Sequence, residues 1–99
     1  MKRVELIFDE SNEAEMEMIL RQCGVEYYTR FHGVTGVGQS GAKLGNSTGP
    51  GINSFIIAYV EADSATRLIA AVDRFMEVCR QNDTSPATRC IVSTIEEFL

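Results

Sequence analysis

Two stretches of the chain each carry one apolar stripe at helical spacing, and each stands between segments patterned as strands. In the first, Met16, Ile19, Leu20 and Cys23 fall at i, i+3, i+4 and i+7, and Gly24 follows as a helix terminator. In the second, Ala65, Leu68, Ile69, Val72, Phe75, Met76 and Cys79 keep a single face. Asn12 with Glu15 has the spacing of a capping box for the first helix, and Asp63 or Ser64 suits the cap of the second. Residues 2–8 alternate, with Val4, Leu6 and Phe8 on one side, and predict a half-buried strand. Residues 25–35 are rich in aromatic and β-branched types and predict a long second strand. Residues 52–60 are apolar on both faces and suit a central strand, and residues 89–95 complete the set.

The resulting order is strand, helix, strand, loop, strand, helix, strand. A helix with one apolar stripe can cover only one side of a sheet, so both helices lie on the same face of a four-stranded antiparallel sheet. This is an α+β, ferredoxin-like βαββαβ arrangement. The opposite face then carries Ile7, Ile56 or Phe55, and Ile91 or Val92, and apolar side chains left uncovered call for a partner surface. Self-association is the economical partner. With 99 residues the chain fits one domain, 1–99, and such a domain buries only roughly 60–65% of the surface its unfolded chain exposes, so a neighbour also supplements a thin core.

Charge narrows the partners. A net charge of −5 argues against nucleic acid and against anionic membrane, because both select a basic face. No apolar run approaches the ~20 residues of a membrane span. Met1-Lys2-Arg3 runs directly into an alternating strand with Glu5 and Asp9, which is not a leader pattern, so a cytoplasmic location is expected. The sequon Asn46-Ser47-Thr48 carries no weight in that compartment. Cys23, Cys79 and Cys90 are odd in number, form no C-x-x-C pair and sit in apolar patterns, so they read as reduced, buried hydrophobes.

Composition changes abruptly at 36–51, GVGQSGAKLGNSTGPG, which holds six of the eight glycines. Gly36 to Gly41 spells G-x-G-x-x-G, but no helical pattern comes after it to present a helix N-terminus to a pyrophosphate, so dinucleotide binding of the Rossmann kind is rejected. Two readings stay open: a plain hairpin connection, or a nest of backbone N–H groups for an anion with Gln39, Ser40 and Lys43 nearby. Leu44 is the only large apolar side chain in 39–50, too little to offset the entropy of ordering the glycines, so that stretch is expected to be flexible when empty. His32, the single histidine, reads as a packed or interfacial residue without an evident catalytic partner. The acidic run Asp9 to Glu17 reads as a solvated helix face, as do Glu96 and Glu97. No nucleophile–base pair is legible, so an enzyme is not expected.

The first strand and helix, Cys23-Gly24-Val25, Thr29, and Gly36-Val37-Gly38-Gln39-Ser40 ahead of a long loop together resemble the PII signalling superfamily. Lys43-Leu44-Gly45 and Pro50-Gly51-x-Asn53-Ser54 resemble its divergent PII-like branch more closely. The resemblance implies a homotrimer with a T-loop-like hairpin at 38–51 and a small anionic effector in the cleft between subunits, an adenine nucleotide being the candidate. It further implies a protein target met by the loop. The residues it singles out are Gly36, Gly38, Gln39, Ser40, Lys43 and Arg89, with no catalytic or metal-ligating residue. The family's second nucleotide turn, a glycine-x-glycine-lysine run, corresponds here to Pro86-Ala87-Thr88-Arg89, which keeps a cation and loses both glycines. A different use of the same architecture is a metal-responsive or structural trimer similar to the CutA-type copper-tolerance proteins, with His32, cysteines and methionines as ligands.

Overall fold

The computed structural model describes residues 1–38, 41–43, 45, 51–84 and 87–99. The chain runs β1 (Lys2–Asp9), a 3-10 turn (Glu10–Asn12), α1 (Glu13–Gln22), β2 (Thr29–Val34), β3 (Gly36–Gly38), β4 (Gly41–Lys43), β5 (Asn53–Val60), α2 (Ala62–Gln81) and β6 (Arg89–Thr94). The main sheet has four strands in the order β2-β5-β1-β6, and every pairing in it is antiparallel. That order is the ferredoxin-like topology expected from the alternation of strands and helices.

One face of the sheet and both helices enclose the core. Val4, Leu6 and Phe8 of β1 and Ile56 of β5 are fully buried, as are Met16 of α1 and Leu68 of α2. The predicted helical stripes supply the other side of this core, with Leu20, Ala65 and Val72 also buried. Cys23 belongs to the core, and Cys90 packs against it from β6; all three cysteines are free thiols. Burial pushes the Cys90 thiol pKa up, which favours the protonated thiol.

The other face is open. In register across it lie Phe31, Phe55, Ile7 and Arg89, and one rung along Thr29, Ile57, Glu5 and Ile91. Phe31, Ile91 and Tyr59 are about half exposed. The Phe31 and Phe55 rings meet in a tilted pair with centroids 5.9 Å apart, and Phe98 approaches Tyr59 at 5.5 Å. Of the alternatives left by the sequence, Phe55 and Ile91 take the open side, whereas Ile56 is buried and Val92 packs on the core.

Four local expectations are corrected. The second strand begins at Thr29 rather than Val25, because Val25 closes α1: its N–H donates to the Leu20 carbonyl at 2.9 Å while Gly24, at φ +79°, donates to Arg21. Residues 36–38 and 41–43 pair as a two-stranded ribbon, so the hairpin loop expected here carries paired strands of its own, which the sequence reading did not place. Asn12 makes no side-chain cap; Asp9 accepts from the Ser11 N–H and hydroxyl instead, and the chain enters α1 through the 3-10 turn. Finally, α2 starts at Ala62, ahead of both cap candidates, which places Asp63 in its first turn where the helix dipole favours an acid.

Candidate functional site

The glycine segment leaves the sheet from β2 and returns in β5. In the ribbon Gly36 stands opposite Lys43, and Gly38 opposite Gly41. Below it the returning stem is tied twice: the Gly45 N–H donates to the Gly51 carbonyl at 3.1 Å, and the Glu10 N–H to the Ile52 carbonyl at 3.0 Å. Gly51 has φ +90°, a conformation that a side chain would strain. Gln39 and Ser40 lie outside the described residues, and so does most of the 39–50 stretch for which flexibility was expected.

Arg89 opens β6 and is exposed on the uncovered face, in register with Ile7. It stands at the same end of the sheet as the glycine ribbon, because Asp9, Asn53 and Val34 line up there as partners. It stands, however, at the opposite edge. Three strand spacings separate β2 from β6, about 14 Å. The structure thus brings Gly36 and Lys43 together within the ribbon and holds Arg89 apart from them. Thr88, before Arg89, is buried with its hydroxyl unpartnered, and Pro86 lies outside the described residues.

A cluster that the sequence did not reveal joins the two stems of the glycine segment. Glu13, in the first turn of α1, accepts a 2.6 Å hydrogen bond from the hydroxyl of the fully buried Ser54 on β5. The same Glu13 oxygen lies 3.0 Å from His32 Nδ1 on β2. One helical turn on, Glu17 pairs with Arg30 of β2. The Ser54 hydrogen bond above all, with lesser help from His32 and Arg30, holds the Glu13 carboxyl below the usual carboxylate range, against an opposing effect of burial second in size to the Ser54 bond. Glu17 in turn raises the Arg30 pKa further. The acidic helix face is therefore in part a strand-binding face, not simply a solvated one. Spacing held one signal: Glu13 and Glu17 at i, i+4 match Arg30 and His32 at i, i+2, facing charges on a helix and an adjacent strand.

Chemically this is no hydrolytic triad. Ser54 donates to the carboxylate and not to the imidazole, and it has no exposure to a substrate. His32 on β2 and Cys90 on β6 lie at opposite sheet edges, and among the described residues no group of three or more histidine, cysteine, aspartate or glutamate side chains is placed to hold a metal. A recess of about 180 Å³ beside Val25, Tyr27, Tyr59 and Glu61 contains none of the predicted site residues. No helix among the described residues is long and apolar enough to cross a membrane.

No protein-family model and no curated protein sequence matches the chain. Its structure does have likenesses. It superposes on CPII, a nitrogen regulatory PII-like protein from Thiomonas intermedia K12 bound to ADP, AMP and bicarbonate, with a TM-score of 0.71 and 20% identity, covering 97% of this chain and 88% of that one. The apo form of CPII gives 0.64 at 19% identity, over 95% and 89% of the two chains. A protein of Thermus thermophilus described as PII-like signalling gives 0.61 at 15%, over 95% and 85%. The resemblance read from Gly36-Val37-Gly38 and the segment around Asn53 therefore agrees with the three-dimensional comparison: the chain has the fold of the PII-like proteins.

Proposed function

We propose that residues 1–99 form one non-catalytic domain that works in the cytoplasm as a homotrimeric PII-like regulator. It binds a small anionic effector between subunits and answers to it through the 38–51 loop, which meets a protein target. The observation that carries this reading is the placement of the ribbon and Arg89 at one end of the sheet but at opposite edges, beside an open face bearing Phe31, Phe55 and Ile91. When the β2 edge of one copy meets the β6 edge of the next, the contact is head-to-tail and closes into a ring. That arrangement covers the apolar face and converges the two half-sites on one cleft.

In the cleft, Gly36 and Gly38 let backbone N–H groups approach an anion, and Gln39, Ser40 and Lys43 orient it. Arg89 offers a forked pair of donors from the neighbouring copy. Adenine nucleotides are the first effectors to test, since CPII was solved with ADP and AMP. Pro86-Ala87-Thr88 lacks the glycines that let a phosphate chain come close, so a monophosphate or diphosphate suits the cleft better than a triphosphate. Calorimetry with ATP, ADP, AMP and cyclic AMP, on the wild type and Arg89→Ala, tests the site. Binding that weakens at least about tenfold in the variant supports it. Equal affinities for the two proteins, or no binding of any of the four, would overturn it.

A further inference from the structure

The two strands that launch the glycine segment are both fastened to one side chain. His32 sits two residues before the end of β2, and Ser54 is the second residue of β5. Between them the ladder is irregular. Phe31 pairs with Phe55 and Val34 with Asn53, so His32 and Gly33 together face the single residue Ser54, with Gly33 at φ +66°. This is a bulge, which bends a strand and re-aims the residues after it. Glu13 reaches both sides of it through one oxygen, at 2.6 Å to the Ser54 hydroxyl and 3.0 Å to His32 Nδ1. We infer that Glu13 is a positioning residue, a clasp that fixes the bulge and thereby the direction in which the ribbon of 36–38 and 41–43 leaves the sheet.

The physical grounds are independent of any effector. An extra residue changes which side of the strand each later side chain takes, so the bulge decides how Val34 and then Gly36 are presented. Bulges at a sheet edge are poorly held by the ladder itself, and β2 is an edge strand. The acid in contact with His32 is Glu13 of α1; Arg30, on the same strand as His32, pairs with Glu17 one helical turn on and also acts on Glu13 at longer range. The Ser54 hydroxyl is fully buried and has Glu13 as its acceptor, so removal of the carboxylate leaves a buried donor unpaired directly across from the bulge. The returning stem is affected too, because Ser54 comes two residues after Ile52, whose carbonyl holds Glu10 at the start of the 3-10 turn that leads into α1.

The link from clasp to effector rests on the function proposed above; the clasp itself does not. The test is therefore made first without ligand, by amide hydrogen exchange and ¹⁵N NMR on the wild type, Glu13→Ala and Glu13→Gln. Loss of one charge-assisted acceptor predicts exchange about ten- to a hundredfold faster at Val34, Gly36, Gly45 and Glu10 in Glu13→Ala, with Val4 and Ile57 in mid-sheet unchanged. The Nδ1–H tautomer of His32, held by its acceptor, should give way in the same variant and persist in Glu13→Gln, whose amide oxygen still accepts. Uniformly faster exchange over the whole sheet, or an unchanged His32 tautomer in Glu13→Ala, would overturn the clasp. ADP titration of the same variants then reads the link. Altered exchange with unaltered ADP affinity would show a clasp that does not govern the site, and a wild type that binds no nucleotide would count against the effector reading alone.

Discussion

Replacing Phe31 by Thr tests whether the open sheet face is the contact between copies. Thr is β-branched and, like Phe, is favoured in strands, so the perturbation is confined to the surface that the phenyl ring presents. A Phe side chain spans roughly 200 Å² and 47% of Phe31 is exposed, so a covering neighbour removes about 95 Å² of apolar surface. At about 25 cal/mol per Å², less what the Thr methyl retains, the loss is about 2 kcal/mol per copy, or roughly 6 kcal/mol over three copies. One tenfold step corresponds to about 1.4 kcal/mol, so the association constant of a trimer falls by about 10⁴. The midpoint concentration of a three-body equilibrium varies as the square root of its constant, so it rises about a hundredfold. Sedimentation across a micromolar dilution series measures this shift directly, and far-ultraviolet circular dichroism checks that the monomer stays folded. Wild type and variant dissociating at the same concentration would place Phe31 outside the contact between copies.

Glu13 gives the fold an acid-side weakness. Its folded pKa is depressed below the ordinary 4.5, so its contribution is fully present above that value and is lost as pH falls through the lower folded one. Urea midpoints measured at stepwise lower pH should decline in that window, and decline less in Glu13→Gln; parallel curves would contradict the assignment. In the core, Leu6 has no exposure, so Leu6→Ala should cost about 2–5 kcal/mol in urea unfolding, and a loss under about 1 kcal/mol would place it outside a close-packed site. Gly51 holds φ +90°, so Gly51→Ala should destabilise by about 1–2 kcal/mol although the added Cβ would meet Asp9 Oδ2 only at an ordinary contact distance of 3.6 Å; a neutral result would mean that the stem rearranges.

Much of the fold was legible because it depends on repeated, additive signals. Val4, Leu6 and Phe8 alternate through β1, and Leu68 and Val72 mark one side of α2; each residue restates the same period. Boundaries were less legible, since single contacts decide them. Val25 has strand character, yet its N–H closes α1 and delays β2 by four residues. The pairing of 36–38 with 41–43 was not legible because short pairing in a glycine-rich segment leaves no periodic trace. The Glu13 cluster escaped for a different reason: Ser54 and Glu13 are 41 positions apart, and only the β1–β5 register brings them together. Gly36 and Lys43 were legible in the glycine pattern as one of two open readings, Arg89 only by resemblance, and within one copy the three do not converge.

That separation makes the account testable in one step. Native mass spectrometry of the unmodified 11.0 kDa chain, at low micromolar concentration with ADP present, reads assembly and occupancy in the same spectrum. The account predicts a species of three chains carrying up to three nucleotides, with no nucleotide on any residual monomer. A monomer that binds ADP, or a trimer that binds none of the adenine nucleotides, would contradict it.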